Sequence, residues 1–276
     1  MPPPNKSLYC ELAKQLFTAK MIKLPVGWSQ PGSQYSDAFS ALELISVPNA
    51  PTNLFREPTL NKYHVDVAAK VGKQFADYID GVGGAVCDGI GQWQSLATIA
   101  NVIINGPVGM LTPGGVVGPP LAPLILATAP KKTPQEAKYS QAIATAFGNA
   151  WQSWHAGLMG MLAYPAFAAF PGPVAPPMPN IPMPLIAMAS PGEAMLSPAT
   201  LKGTMVGNLA DPQALHAADL FDSLSQAFAP VFQMFKAANQ VKNVLGMGPI
   251  PTFAPPFVPA GPVIMGTGTG PPGCLA

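Results

Sequence analysis

A mainly α fold, its helices interleaved with extended or short β segments rich in proline, is the class this sequence predicts. Three observations point to it. A helix-plus-ribbon unit recurs three times, each copy opens on helical apolar periodicity, and each closes on an uncharged run of proline, glycine and aliphatic residues. The first copy runs from Gln92-Trp93-Gln94-Ser95 into Asn105-Gly106-Pro107-Val108, and the second from Ala150-Trp151-Gln152-Ser153-Trp154 into Ala163-Tyr164-Pro165. The third runs from Val231-Phe232-Gln233-Met234-Phe235 into Gly246-Met247-Gly248-Pro249. Ala146-Phe147 and Ala227-Phe228 match one another just before the aromatic residues of their units. The expected organisation is an N-terminal arm or docking segment at 1–58, then three tandem pseudo-repeats at 59–130, 131–192 and 193–276.

Taken in order, Ser7 to Lys23 carries a short amphipathic pattern on Leu12, Leu16 and Phe17, which Pro25 and Gly27 end. Ala38 to Val47 fits a short helix or strand. From Asn61 to Ile79 the spacing of Val65, Ala68, Gly72, Phe75 and Ile79 predicts a helix, and Gly81-Val82-Gly83-Gly84 predicts a loosening of it. A second helix is expected over 85–104, stopped by Gly106-Pro107. Thr133-Pro134-Gln135-Glu136 reads as a capping box with proline at the first helical position, opening a helix to about Ala163. Asp211-Pro212-Gln213 opens the third by the same device, and Pro230 predicts a kink or break before a run to Leu245.

The ribbons are 108–126, 171–188 and 249–265. In the second, Pro177, Pro179, Pro182 and Pro184 recur almost every other residue. Proline fixes φ and removes a hydrogen-bond donor, so such a run suits a sheet edge or a polyproline stretch laid on a surface. The side chains between the prolines are Met, Ile and Leu, so that surface is apolar. A unit that cannot cover its own ribbon is expected to stack on copies of itself or on another subunit. The expected interface residues are therefore the aromatic anchors Trp93, Trp151, Trp154 and Phe232 and the ribbon residues Met110, Met178, Ile181, Met183, Leu185, Phe253, Phe257 and Met265.

Composition supports that reading. Only 10% of the 276 residues are charged and the net charge is +1, against roughly 25% charged in a typical soluble domain. No Lys/Arg block is present to displace counterions, which argues against nucleic-acid binding. The 35 prolines and 27 glycines coexist with too many aliphatic and aromatic residues for a solvated coil. Mean hydropathy is +0.27, and prolines and polar residues interrupt each apolar run, so no permanent membrane span is expected; transient membrane contact stays open. Cys10, Cys87 and Cys274 show no paired spacing and the first residues hold no apolar leader, so reduced thiols in a protein made in the cytoplasm are expected.

Chemistry is sparse. His64, His155 and His216 lack metal-spaced partners, and His155 beside Trp154 reads as a packed histidine rather than a ligand. Cys87 beside Asp88 lacks a companion base, and Asp77 with Asp80 reads as a solvated helix face before a calcium site. Gly81–Gly84 and Gly266-Thr267-Gly268-Thr269-Gly270 lack the Gly-Lys-Ser/Thr of a phosphate loop, and no Gly-x-Ser-x-Gly elbow occurs. No enzyme activity, cofactor or metal is expected. The expected function is structural: a subunit of a large symmetric assembly, in character a virion or tail component of a tailed phage or of a related contractile injection machine. Its partners would be other structural proteins and copies of itself in a symmetry the sequence does not fix; three pseudo-equivalent units would match three-fold surroundings, a trimer being favoured, or let a dimer mimic six-fold symmetry. The alternative is a membrane-active plug or pore former that inserts the same ribbons.

Overall fold

Asn5 starts the first helix, its side chain accepting from the Leu8 N–H at 3.0 Å. Helix α1 (Lys6–Thr18) then buries Tyr9, Ala13 and Phe17, one residue per turn on a single face. The computed structural model describes residues 2–22, 62–168, 173–214, 216–252 and 261–275. The predicted segment at 38–47, Phe253 and Phe257 lie outside these. Helix α2 (Lys62–Leu96) is followed by strands β1 (Thr98–Asn105), β2 (Val108–Leu111) and β3 (Val116–Val117), then by helices α3 (Leu121–Thr128) and α4 (Pro134–Ala156). Next come β4 (Gly160–Ala163), β5 (Val174–Pro179), β6 (Met183–Pro184), two 3-10 turns, and helices α5 (Pro198–Leu209) and α6 (Ala217–Ala238). Strands β7 (Gln240–Val241), β8 (Leu245–Pro249) and β9 (Gly266–Gly270) complete the order.

Each helix packs on the next, and α6 returns to α1. The interior of this helical layer is aromatic. Trp93 of α2 meets Trp151 of α4 edge-on at 5.2 Å, Trp151 lies 4.6 Å from Trp154, and Phe232 of α6 closes on Trp154 at 5.2 Å. All four are buried, and truncating any one of them to alanine costs about 3–5 kcal/mol. Beside them runs a polar clasp. The Gln94 amide donates to the Asn239 side chain at 2.7 Å and to the Leu275 carbonyl at 2.8 Å. Asn239 in turn donates to the carbonyls of Phe235 and Pro2. Residues near both ends of the chain are thereby tied to α2 and α6.

The second layer is a seven-stranded antiparallel sheet ordered β4-β2-β1-β9-β8-β5, with β3 also paired to β1. Its inner face is built for close approach. A Cβ at Gly109, Gly246 or Gly268 would stand 2.7, 2.7 and 3.1 Å from the Tyr164 side chain, so glycines of three strands form the bed for that ring. Ile104, Val102, Leu162, Phe167 and Val263 complete the buried side.

This architecture corrects the expected class. The described residues form a mixed α and β structure with a seven-stranded antiparallel sheet, and the three helix-plus-ribbon units are not clearly repeats. Tandem repeats touch only their neighbours, whereas β1 pairs with β9 from the far end of the chain. The first two ribbons supply β2, β3 and β5 to one sheet, where β2 and β3 pair with β1 and β5 pairs with β8. Residues 98–104 are strand and not helix, since Thr98, Ile99, Val102, Ile103 and Ile104 are mostly β-branched and alternate in burial. Gly81–Gly84 do not loosen α2. They lie against Pro130, Cys10, Tyr9 and Lys6, where larger side chains would collide. The Thr133–Glu136 capping box forms as read, but its helix ends at Ala156 and 160–163 is strand. Asp211 begins a turn, the third long helix starts at Ala217, and Pro230 sits within it without ending it.

Candidate docking surface

Strand alternation that buries Val102, Ile104 and Leu162 sends their neighbours to the opposite face. Pairing aligns those neighbours. Met161 stands opposite Met110, Met110 opposite Ile103, Ile103 opposite Thr267, and Thr267 opposite Met247. The result is one transverse row over five strands, spanning about 19 Å at the ordinary strand spacing. Met161, Met110, Ile103 and Met247 are 64%, 54%, 49% and 40% exposed. Met265, immediately before β9, is 81% exposed. It is held at φ +52°, outside the ordinary range of a non-glycine residue, by a hydrogen bond from its N–H to the Asn105 side chain at 3.1 Å.

No Asp, Glu, Lys or Arg lies in 89–130, 139–192 or 243–276, the runs that supply every strand of this sheet. The strand residues of this face are therefore uncharged and mostly apolar. Exposed side chains of Ile103, Val108, Met110, Met161, Met247 and Met265 offer on the order of 600 Å², at the top of the range for the largest patch on a soluble monomer. Methionine is suited to such a role, since its unbranched, polarizable side chain adapts to an irregular partner.

The lateral edges of the sheet are closed. Pro176, Pro177 and Pro179 remove donors from β5. The outer side of β4 is flanked where Ile181 donates to Ala163 and Met159 pairs with Ala189. Contact through this sheet is left to its open face.

The expected interface residues divide. Trp93, Trp151, Trp154 and Phe232 are buried within the protomer's own core, because the helices that carry them close on one another, and Leu185, in the 3-10 turn after β6, is buried beside the end of α6. Met178 and Met183 are half-buried, while Met110, Ile181 and Met265 are exposed. Sequence reasoning missed Ile103, Met161 and Met247. Their signal was an apolar residue alternating with another apolar residue or glycine, which hides the two-residue period.

Groups weighed for chemistry have structural surroundings. His155 Nδ1 lies 3.3 Å from the Val116 carbonyl, and burial lowers its pKa, holding the ring neutral against Trp93. His216 lies 3.4 Å from Asp219 at the start of α6, and His64 falls in the first turn of α2. Burial pushes the Cys10 and Cys274 thiols up to about 11 and Cys87 higher still, the opposite of an activated nucleophile. Asp77, Asp80 and Asp88 each pair with a lysine: Lys73, Lys14 and Lys6. Gly266–Gly270 is strand β9. Among the described residues, no group of three or more His, Cys, Asp or Glu side chains is placed to hold a metal ion, and no helix is long and apolar enough to cross a membrane. Compared with protein-family models, curated proteins and solved structures, the chain gives no match.

Proposed function

We propose that this protein is a non-enzymatic structural subunit that joins a larger assembly through the open face of its sheet. The observation that carries the reading is the row Met161–Met110–Ile103–Thr267–Met247: an ordered, uncharged surface on a sheet whose two edges are shut. Leaving that much apolar area in water costs free energy in proportion to the area, about 25 cal/mol per Å², and a partner recovers it. A particle of the tailed-phage or contractile-injection type is the setting we infer, because subunits held permanently by neighbours need little charge of their own. The expected three-fold symmetry rested on three repeated units and loses that support.

The test uses the protein in the cells that make it. Wild type should sediment with large particles, and Ile103→Glu should shift the protein to the slow soluble fraction. Wild type found wholly in the slow fraction would overturn the assembly reading. Dye release from liposomes by the purified protein would favour the membrane-active alternative instead.

A further inference from the structure

We infer that the occupant of the open sheet face is a second copy of this chain, stacked face to face about a two-fold axis that runs along β1 through Ile103. The inference rests on the docking reading above and names its partner. Three features of the face select a copy. The first is area. With Leu245, Val174 and Pro249 around the row, the apolar surface reaches roughly 800 Å², the share each partner gives to a standard stable interface. The second is charge. Any partner carrying Lys, Arg, Asp or Glu at the contact would strand it against methionine without a counter-ion, whereas a copy brings an equally uncharged face. A bilayer surface is the weaker fit, since among the described residues the strands of this face carry no Lys or Arg and expose no Trp or Tyr to hold it at lipid headgroups.

The third feature is self-complementary relief. A two-fold axis lying between the sheets and parallel to β1 reverses the row from one copy to the next. Ile103 then meets Ile103 of the copy, Met110 meets Thr267, and Met161 meets Met247. A long side chain faces a short one beside the axis, which is how facing positions interdigitate. The strands of the two sheets stay within about 30° of one another at a separation of about 10 Å, the ordinary geometry of a sandwich. A two-fold contact closes on itself, so the dimer is the finite building block that the larger assembly takes up, and breaking it releases the subunit.

Sedimentation equilibrium of the purified full chain tests this. Wild type should be a dimer at micromolar concentration. Ile103→Glu places two carboxylates face to face on the axis and should weaken the dimer at least ~100-fold, as loss of a central contact does. The thermal melt of the monomer should barely move, because Ile103 points to solvent within one protomer. Met110→Lys alone should also give monomer, and adding Thr267→Glu should restore the dimer by pairing opposite charges across the axis. A monomeric wild type, an Ile103→Glu dimer, or no rescue by the double variant would each overturn the two-fold stack. A monomeric purified protein that still sediments with particles in cells, and loses this with Ile103→Glu, would overturn self-docking while leaving the assembly reading standing.

Discussion

Replacing Asn239 by alanine probes the clasp that holds both ends of the chain to the helical layer. The side chain is fully buried, accepts from Gln94 at 2.7 Å, and donates to the Phe235 carbonyl at 2.8 Å and the Pro2 carbonyl at 3.3 Å. Alanine removes all three bonds at once and leaves two carbonyls and half of an amide facing an apolar interior. Gln94 keeps its bond to Leu275, so the loss is partial. A net hydrogen bond contributes about 1 kcal/mol and an orphaned buried group costs about 1–3 kcal/mol, so Asn239→Ala should destabilise by about 3 kcal/mol. For a chain of this size that lowers Tm by roughly 6–10 °C. Urea unfolding should show the midpoint falling with the slope unchanged, since the surface exposed on unfolding is the same. The double variant Gln94→Leu, Asn239→Leu removes both partners and should lose less than the two single leucine variants together, with a coupling of about 1 kcal/mol or more. An alanine variant within about 0.5 kcal/mol of wild type, or leucine variants that simply add, would refute the reasoning.

Four further outcomes are expected. Gly246→Ala places a Cβ 2.5 Å from Ile104 and 2.7 Å from the Tyr164 ring, and should cost about 1–3 kcal/mol in urea unfolding. Gly203→Ala meets nothing within 4 Å on helix α5, and should instead stabilise by about 0.5–1 kcal/mol. Tyr164→Phe deletes a buried hydroxyl without a partner and should be neutral or stabilising near pH 7. Burial raises the Tyr164 pKa to about 12, above the unfolded value of about 10. Wild type should therefore lose stability as pH rises from 10 towards 12, the unfolded chain releasing its proton first, and the phenylalanine variant should lack that part of the slope. In the monomeric Ile103→Glu variant, whose sheet face is uncovered, limited hydrogen peroxide should convert Met110, Met161, Met247 and Met265 to sulfoxides well before buried Met188 and Met205, as peptide mass spectrometry would show. Wild type should oxidise more slowly at Met110, Met161 and Met247, which the dimer covers, and equal rates at exposed and buried positions of the variant would contradict the placement of the row.

Local rules that act within a few residues are legible in the sequence. The Thr133–Glu136 box forms because both of its bonds close inside one turn, and α1 follows its apolar spacing. Trp93, Trp151, Trp154 and Phe232 are readable as anchors, though not as partners of one another, since they come from three helices far apart in the chain. Gly83 reads as a helix breaker until Tyr9 and Cys10 are known to press against it. The strand at 98–105 is hidden because Ile103 faces out and Ile104 faces in, and both are isoleucine. The likeness among the three helix exits is a likeness of composition. Each exit enters the sheet at a different place.

From its residues alone this protein was bound to carry apolar surface that its few charges cannot cover, and to begin its helices where short-range caps permit. Where that surface lies was decided by pairing between distant segments, above all 98–105 with 266–270. Strand partners contribute hydrogen bonds that no local sequence encodes, and a shift of one residue in register would exchange the buried face for the open one. Tertiary structure therefore chose which methionines meet solvent, and with them the surface on which the proposed function rests.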